Sequence, residues 1–124
     1  MTPATLHVTG NFSRNLDDIE AFLREVGAAQ TFAGLLDDLF AEVFPALEHF
    51  PDMGADFFRH PPTCRETQVR ARQLRRRLGP DTSLRELIRG GYLLLYAHRE
   101  REIFLLAIRH HRQLSFDLSG HWSD

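Results

Sequence analysis

Ser83 to Ile108 reads SLRELIRGGYLLLYAHREREIFLLAI, and the fold turns on how this stretch divides. Gly90-Gly91 is a pair suited to a tight hairpin, because glycine takes the left-handed backbone angles such turns require. The residues before it, Ser83 to Arg89, alternate loosely between apolar and polar. Those after it, Tyr92 to Ala97, form an apolar run rich in strand formers. Arg99-Glu100-Arg101 is polar enough for a second turn, and Ile103 to Ile108 is apolar for long enough to be a central strand. The stretch therefore reads as a three-stranded meander whose runs need cover on both faces or nearly so. Tyr92 and Tyr96, four apart on one strand, share a face and read as core rather than as platforms for stacking.

What covers the sheet is written upstream. Residues 4–9 alternate Leu6 and Val8 with His7 and Thr9, a short strand. Asn15 is placed to cap a helix, with Asp17, Asp18 and Glu20 in a first turn where the helix dipole favours anions. Leu16, Ile19, Phe22, Leu23 and Val26 form its apolar stripe, and Gly27 is a stop. A second helix carries Phe32, Leu35, Leu36, Leu39, Phe40, Val43, Phe44 and Leu47 at helical spacing. Pro45 removes one backbone donor and predicts a kink or break. Phe50-Pro51-Asp52-Met53-Gly54 ends the element. The two helices form a hairpin that must lie on something apolar.

Residues 55–63 read as a loop. Thr63-Cys64-Arg65-Glu66 has capping-box spacing and predicts a helix to about Leu78, closed by Gly79-Pro80. Its apolar residues, Val69, Leu74 and Leu78, are few. Its arginines, Arg65, Arg70, Arg72, Arg75, Arg76 and Arg77, are many, so this helix lies on a surface. The fold class is α+β in one domain spanning 1–124: a helical hairpin packed on a small, mostly antiparallel sheet, with an Arg-rich helix inserted within 55–82.

The charge is divided along the chain. Residues 1–58 hold two Arg and ten Asp or Glu; residues 59–112 hold thirteen Arg and five Asp or Glu. The net charge of −2 thus hides halves of −8 and +8, and there is no lysine. A positive face could meet nucleic acid, an acidic protein segment or the chain's own acidic half. Length, at 124 residues, allows one core. No apolar run approaches the roughly 20 residues of a membrane span. The first ten residues lack the pattern of a signal peptide, and a cytoplasmic location is the expectation. The single cysteine, Cys64, excludes an intrachain disulfide and a cysteine-based zinc finger. The seven histidines show no metal-binding spacing, and no metal or other cofactor is expected.

Four segments, taken in order, resemble the RelE/ParE superfamily of toxins from type II toxin–antitoxin systems. Val8-Thr9 leading into Leu16-Asp17-Asp18-Ile19-Glu20-Ala21-Phe22-Leu23 is similar to its first strand and helix. Leu47-Glu48-His49-Phe50-Pro51-Asp52-Met53-Gly54 looks like its "L-x-x-F-P-x-(L/M)-G" exit from the second helix. Leu84-Arg85-Glu86-Leu87, Gly91-Tyr92 and Tyr96 look like its central strands. Ile108-Arg109-His110-His111-Arg112-Gln113 resembles the ending of the last strand in the ParE branch. The likeness covers most of residues 5–118; the departure is 55–82, where the family passes quickly to the next strand. It implies a protein that arrests growth when free and is silenced by a cognate acidic antitoxin. RelE-like members cut messenger RNA on the ribosome; ParE-like members poison DNA gyrase.

Cleavage at a 2′-hydroxyl needs a base, an acid and a cation for the phosphate charge. RelE-like members draw these mostly from Lys, Arg and a C-terminal Tyr or His. This chain has no lysine and no tyrosine after Tyr96. Were it a nuclease, the candidates would be His98, Arg109, His111 and Arg112, with His110 beside them. Neighbours on a strand point to opposite faces, so only one of His110 and His111 faces a given site. Arg65, Arg72, Arg75, Arg76 and Arg89 are the candidates for partner binding, since guanidinium pairs bidentately with carboxylate or phosphate. The Arg-rich helix lacks interleaved aromatics for stacking on bases, which favours an acidic antitoxin segment over RNA. Trp122, with Phe116 and Leu118, is an apolar tail that folds over the sheet or docks on another subunit. The absent lysines, the mild isoelectric point of about 6.4 and the strand ending favour the ParE-like action on gyrase. The alternatives are a ribosome-dependent mRNA endonuclease and a non-toxic interaction module on the same fold. A homodimer and a toxin–antitoxin hetero-oligomer are both compatible with the sequence.

Overall fold

Strand β1 (Thr5–Val8) opens the chain in a computed structural model that describes residues 3–56, 72–73, 76–77, 79 and 81–110. Helices α1 (Gly10–Glu25) and α2 (Ala29–Asp38) follow, then a wide π turn (Leu39–Val43) running into α3 (Phe44–His49). The two-residue strand β2 (Ala55–Asp56) precedes β3 (Ser83–Arg89), β4 (Tyr92–Arg99) and β5 (Glu102–His110). The sheet has the order β1-β5-β4-β3-β2, and only the β1–β5 pairing is parallel. The meander and its two turns match the sequence reading, and β5 lies inside the sheet between β1 and β4. Ala55–Asp56 corrects the loop expected from residue 55, because both residues pair with β3 at Glu86 and Arg85.

The core lies between the helices and one sheet face. Ile19 and Leu23 of α1, Leu35 of α2, Leu39, Val43 and Leu47 pack against Tyr92, Leu94, Tyr96, Ile103, Leu105 and Ile108. Both tyrosines are core residues, as expected. Alternation puts Leu84 and its cross-strand partner Ala97 on the other face, where both are buried.

Helix α1 begins earlier than the sequence implied. Thr9 is the N-cap: its Oγ1 accepts from Phe12 N at 3.2 Å and donates to Leu105 O at 2.7 Å. One side chain thus satisfies a free helix N–H and fastens the helix start to β5. Asn15 is not a cap but sits inside α1, 7% exposed. Its role follows from the short β1, whose pairing with β5 stops at Leu105. Beyond that point, Asn11 Nδ2 donates to Leu106 O at 2.8 Å and Asn15 Oδ1 accepts from Ile108 N at 3.1 Å. Two asparagines at i and i+4 thus replace the missing strand along that edge. At the other end, Gly27 (φ +74) lets Gly27 N and Ala28 N bond back to Arg24 O and Leu23 O, a Schellman stop.

The kink expected at Pro45 is a π turn just before it, with Phe44 N–H bonded to Leu39 O. Leu35, Leu39, Val43 and Leu47 are buried at a constant spacing of four. In a continuous α-helix that spacing drifts around the axis; the wide turn holds the four on one face. It also corrects one reading: Phe40 is not in the buried stripe but 66% exposed, edge-on to Phe44.

Candidate functional site

Two polar clusters flank the core at opposite ends of the sheet. The first grows from the β3–β4 hairpin. Arg89 and Tyr92 flank the two-glycine turn and are cross-strand partners, so both reach the helix-covered face. Asp38, in the last turn of α2, meets them there. Arg89 Nε and Nη2 donate to its two oxygens at 2.8 Å each, and the Tyr92 hydroxyl donates to Oδ2 at 2.8 Å. The hydrogen bonds from Arg89 hold the Asp38 carboxyl below its ordinary range and raise the guanidinium in turn. Burial, then Asp38, pushes the Tyr92 phenol far up, so it stays a neutral donor. Beside this network opens a cleft of about 280 Å³ lined by Thr31, Gly34, Asp38, Gly91, Tyr92 and His110 among others. His110 lies at its base, 3% exposed.

The second cluster clamps the chain where it leaves α3. Tyr96 OH donates to Pro51 O at 2.8 Å and accepts from Gly54 N at 2.9 Å. Arg85 donates to Gly54 O at 2.7 Å and Asp52 O at 3.2 Å, and pairs with the Asp52 carboxylate at 3.3 Å. His98 Nδ1 stands 2.9 Å from Asp52 Oδ1, and its Nε2 2.7 Å from Glu100 O. Glu100 holds a left-handed backbone (φ 55) in that turn.

These placements divide the nuclease candidates. His98 pairs with Ile103 and Arg109 with Leu93, so the two lie five β4 positions apart, roughly 16 Å at the usual strand rise. By alternation His98 is on the helix-covered face and Arg109 on the opposite one. Arg109 is half-buried, and desolvation lowers its pKa. His111 and Arg112 lie outside the described residues, as do Phe116, Leu118 and Trp122 of the tail.

Of the partner-binding candidates, Arg89 is already held by Asp38. Arg72 and Arg76 are helical and exposed, with Gln73 and Arg77. Arg65, Arg75 and the rest of the expected helix lie outside the described residues. Sequence reasoning did not single out Asp38 or the Asp52–His98 pair. The hairpin register did carry a signal, since residues flanking a two-residue turn are obligatory neighbours.

Among the described residues no helix is long and apolar enough to cross a membrane. No curated protein matches the chain. Residues 6–115 match the family described as the ParE toxin of type II toxin-antitoxin system, parDE. That span takes in the helical hairpin, the whole meander and the segment between them, and the chain therefore belongs to the ParE toxin family of type II toxin–antitoxin systems.

Proposed function

We propose that this toxin arrests growth by a ParE-like action on DNA gyrase and is neutralised by an acidic antitoxin that engages its arginines. The observation that carries the gyrase reading is the separation of His98 from Arg109, at opposite ends and on opposite faces of the sheet. RNA cleavage needs base, acid and cation within reach of one phosphate. Two of the four candidates are too far apart to serve together. His98 is moreover tied on both nitrogens, to Asp52 and to the Glu100 carbonyl, so it acts as a brace for the β4–β5 turn. A gyrase poison needs no such cluster; it needs a rigid surface.

The antitoxin reading rests on exposed Arg72, Arg76 and Arg77, with Arg65 and Arg75 in the same stretch. Arg89 joins them only if an incoming carboxylate displaces Asp38. The test is induction of the chain alone in growing cells, with DNA and messages followed together. Growth arrest with DNA breaks, intact bulk messages and rescue by the adjacent gene is expected. Rapid message cleavage without DNA damage would replace this reading with the ribosome-dependent nuclease. Normal growth at good soluble expression would favour the interaction module.

A further inference from the structure

The acidic half of the chain carries an exposed aromatic ridge. The π turn rolls Phe40 out of the core, where it is 66% exposed and held edge-on against Phe44 with ring centroids 5.1 Å apart. Asp37, in the last turn of α2, precedes Phe40 by three residues, and the half-buried Phe44 backs the Phe40 ring. Asp37 is exposed and, among the described residues, has no cationic partner; the ion pairs of this region use Asp38 instead. An exposed ring beside an unpaired carboxylate suits one kind of group above others. A guanidinium can lie on the ring by its planar face and pair with the carboxylate by its edge.

The same chain displays that group. Arg72, Arg76 and Arg77 are each helical and exposed, and none has a carboxylate partner among the described residues. Asp37 on the acidic half and Arg72, Arg76 and Arg77 on the basic half are thus complementary and, among the described residues, without an ion-pair partner. We propose that a second copy of this chain docks on the Asp37–Phe40–Phe44 ridge through its Arg72, Arg76 and Arg77 segment. The contact joins two different surfaces, so it is head-to-tail, and each bound copy still offers a free ridge or a free arginine segment. Such contacts build chains unless the rotation closes a ring. The proposal stands independently of the target of the toxin.

Sedimentation of the purified full chain tests it. At low salt the apparent mass should rise with concentration from 14.3 kDa through its multiples, and it should return to monomer at high salt. Phe40→Ser should weaken association about tenfold, with unchanged circular dichroism because the side chain is exposed. Asp37→Arg alone, and Arg72→Glu with Arg76→Glu in one chain, should each be monomeric. Mixing these two variants should restore assembly, because each then meets a complementary surface on the other. A wild-type chain that stays monomeric at low salt, or a mixture that stays monomeric, overturns the proposal. Self-association unchanged by Phe40→Ser also overturns it; if that variant instead loses antitoxin affinity, the ridge is an antitoxin surface.

Discussion

Asn15 shows how a single residue is misread when its neighbours in space are unknown. Asn followed by two aspartates has the composition of a helix start, yet Thr9 caps the helix and Asn15 closes the edge of β5. No local pattern carries that role, because it depends on β1 ending at Leu105 and on Ile108 lying beside α1. Asn15→Leu should therefore destabilise the fold by about 1–3 kcal/mol, the cost of leaving the buried Ile108 N–H unpaired, read as a lower urea midpoint. An unchanged midpoint would show that the edge needs no partner there. Gly54 was legible as part of a motif but not as a steric necessity. A Cβ there would stand 2.8 Å from Tyr96 Oη and 2.9 Å from Glu86 O. Gly54→Ala should cost about 1–3 kcal/mol by overpacking, read as a lower urea midpoint. Asp38 supplies a pH dependence. Its folded pKa is depressed by Arg89, so its contribution is present above the unfolded carboxylate range and is lost as pH falls through the folded value. Asp38→Asn should flatten the acid limb of the melting-temperature profile and leave the neutral-to-basic limb parallel to wild type.

At the scale of elements, the meander was readable because its signals are local: two turns, three runs and an alternation that the ladders reproduce. The helical hairpin was readable in place but not in rotation. An apolar stripe of Leu35, Leu39, Phe40, Val43, Phe44 and Leu47 admits more than one buried face, and periodicity alone does not choose between them. The π turn chooses, by keeping residues at spacing four on the core side and turning Phe40 outward. The two residues at its start should then respond oppositely. Leu39, fully buried, should cost about 2–5 kcal/mol on change to Ala. Phe40→Ala should stay within about 0.5 kcal/mol of wild type, as exposed positions do. Equal losses at both positions by chemical denaturation would place Phe40 back in the core. The strand β2 was missed for a related reason: two residues are too few to show a period, and only their ladder to Glu86 and Arg85 defines them.

For the whole molecule, the split of charge was legible from composition, and its consequence lies in how quickly partners meet. Arg72, Arg76 and Arg77 are exposed, whereas Arg85 and Arg89 are bound to Asp52 and Asp38. Of these two groups, the arginines ahead of β3 are the ones open to an incoming acidic segment. Exposed charges steer encounter over a distance set by salt, about 10 Å at 0.1 M, and add less to the final affinity. Changing Arg72, Arg75 and Arg76 to Glu should accordingly slow association with the antitoxin by about tenfold or more at low salt, with a smaller effect on dissociation. At high salt the two chains should associate at similar rates, since screening removes what the arginines supply. The fold should survive, because Arg72 and Arg76 are exposed. Stopped-flow binding at two salt concentrations measures all of this on one pair of proteins. If the variant associates at the wild-type rate at low salt, the antitoxin approaches another surface. The cleft beside Asp38 and Tyr92 is then the next place to look.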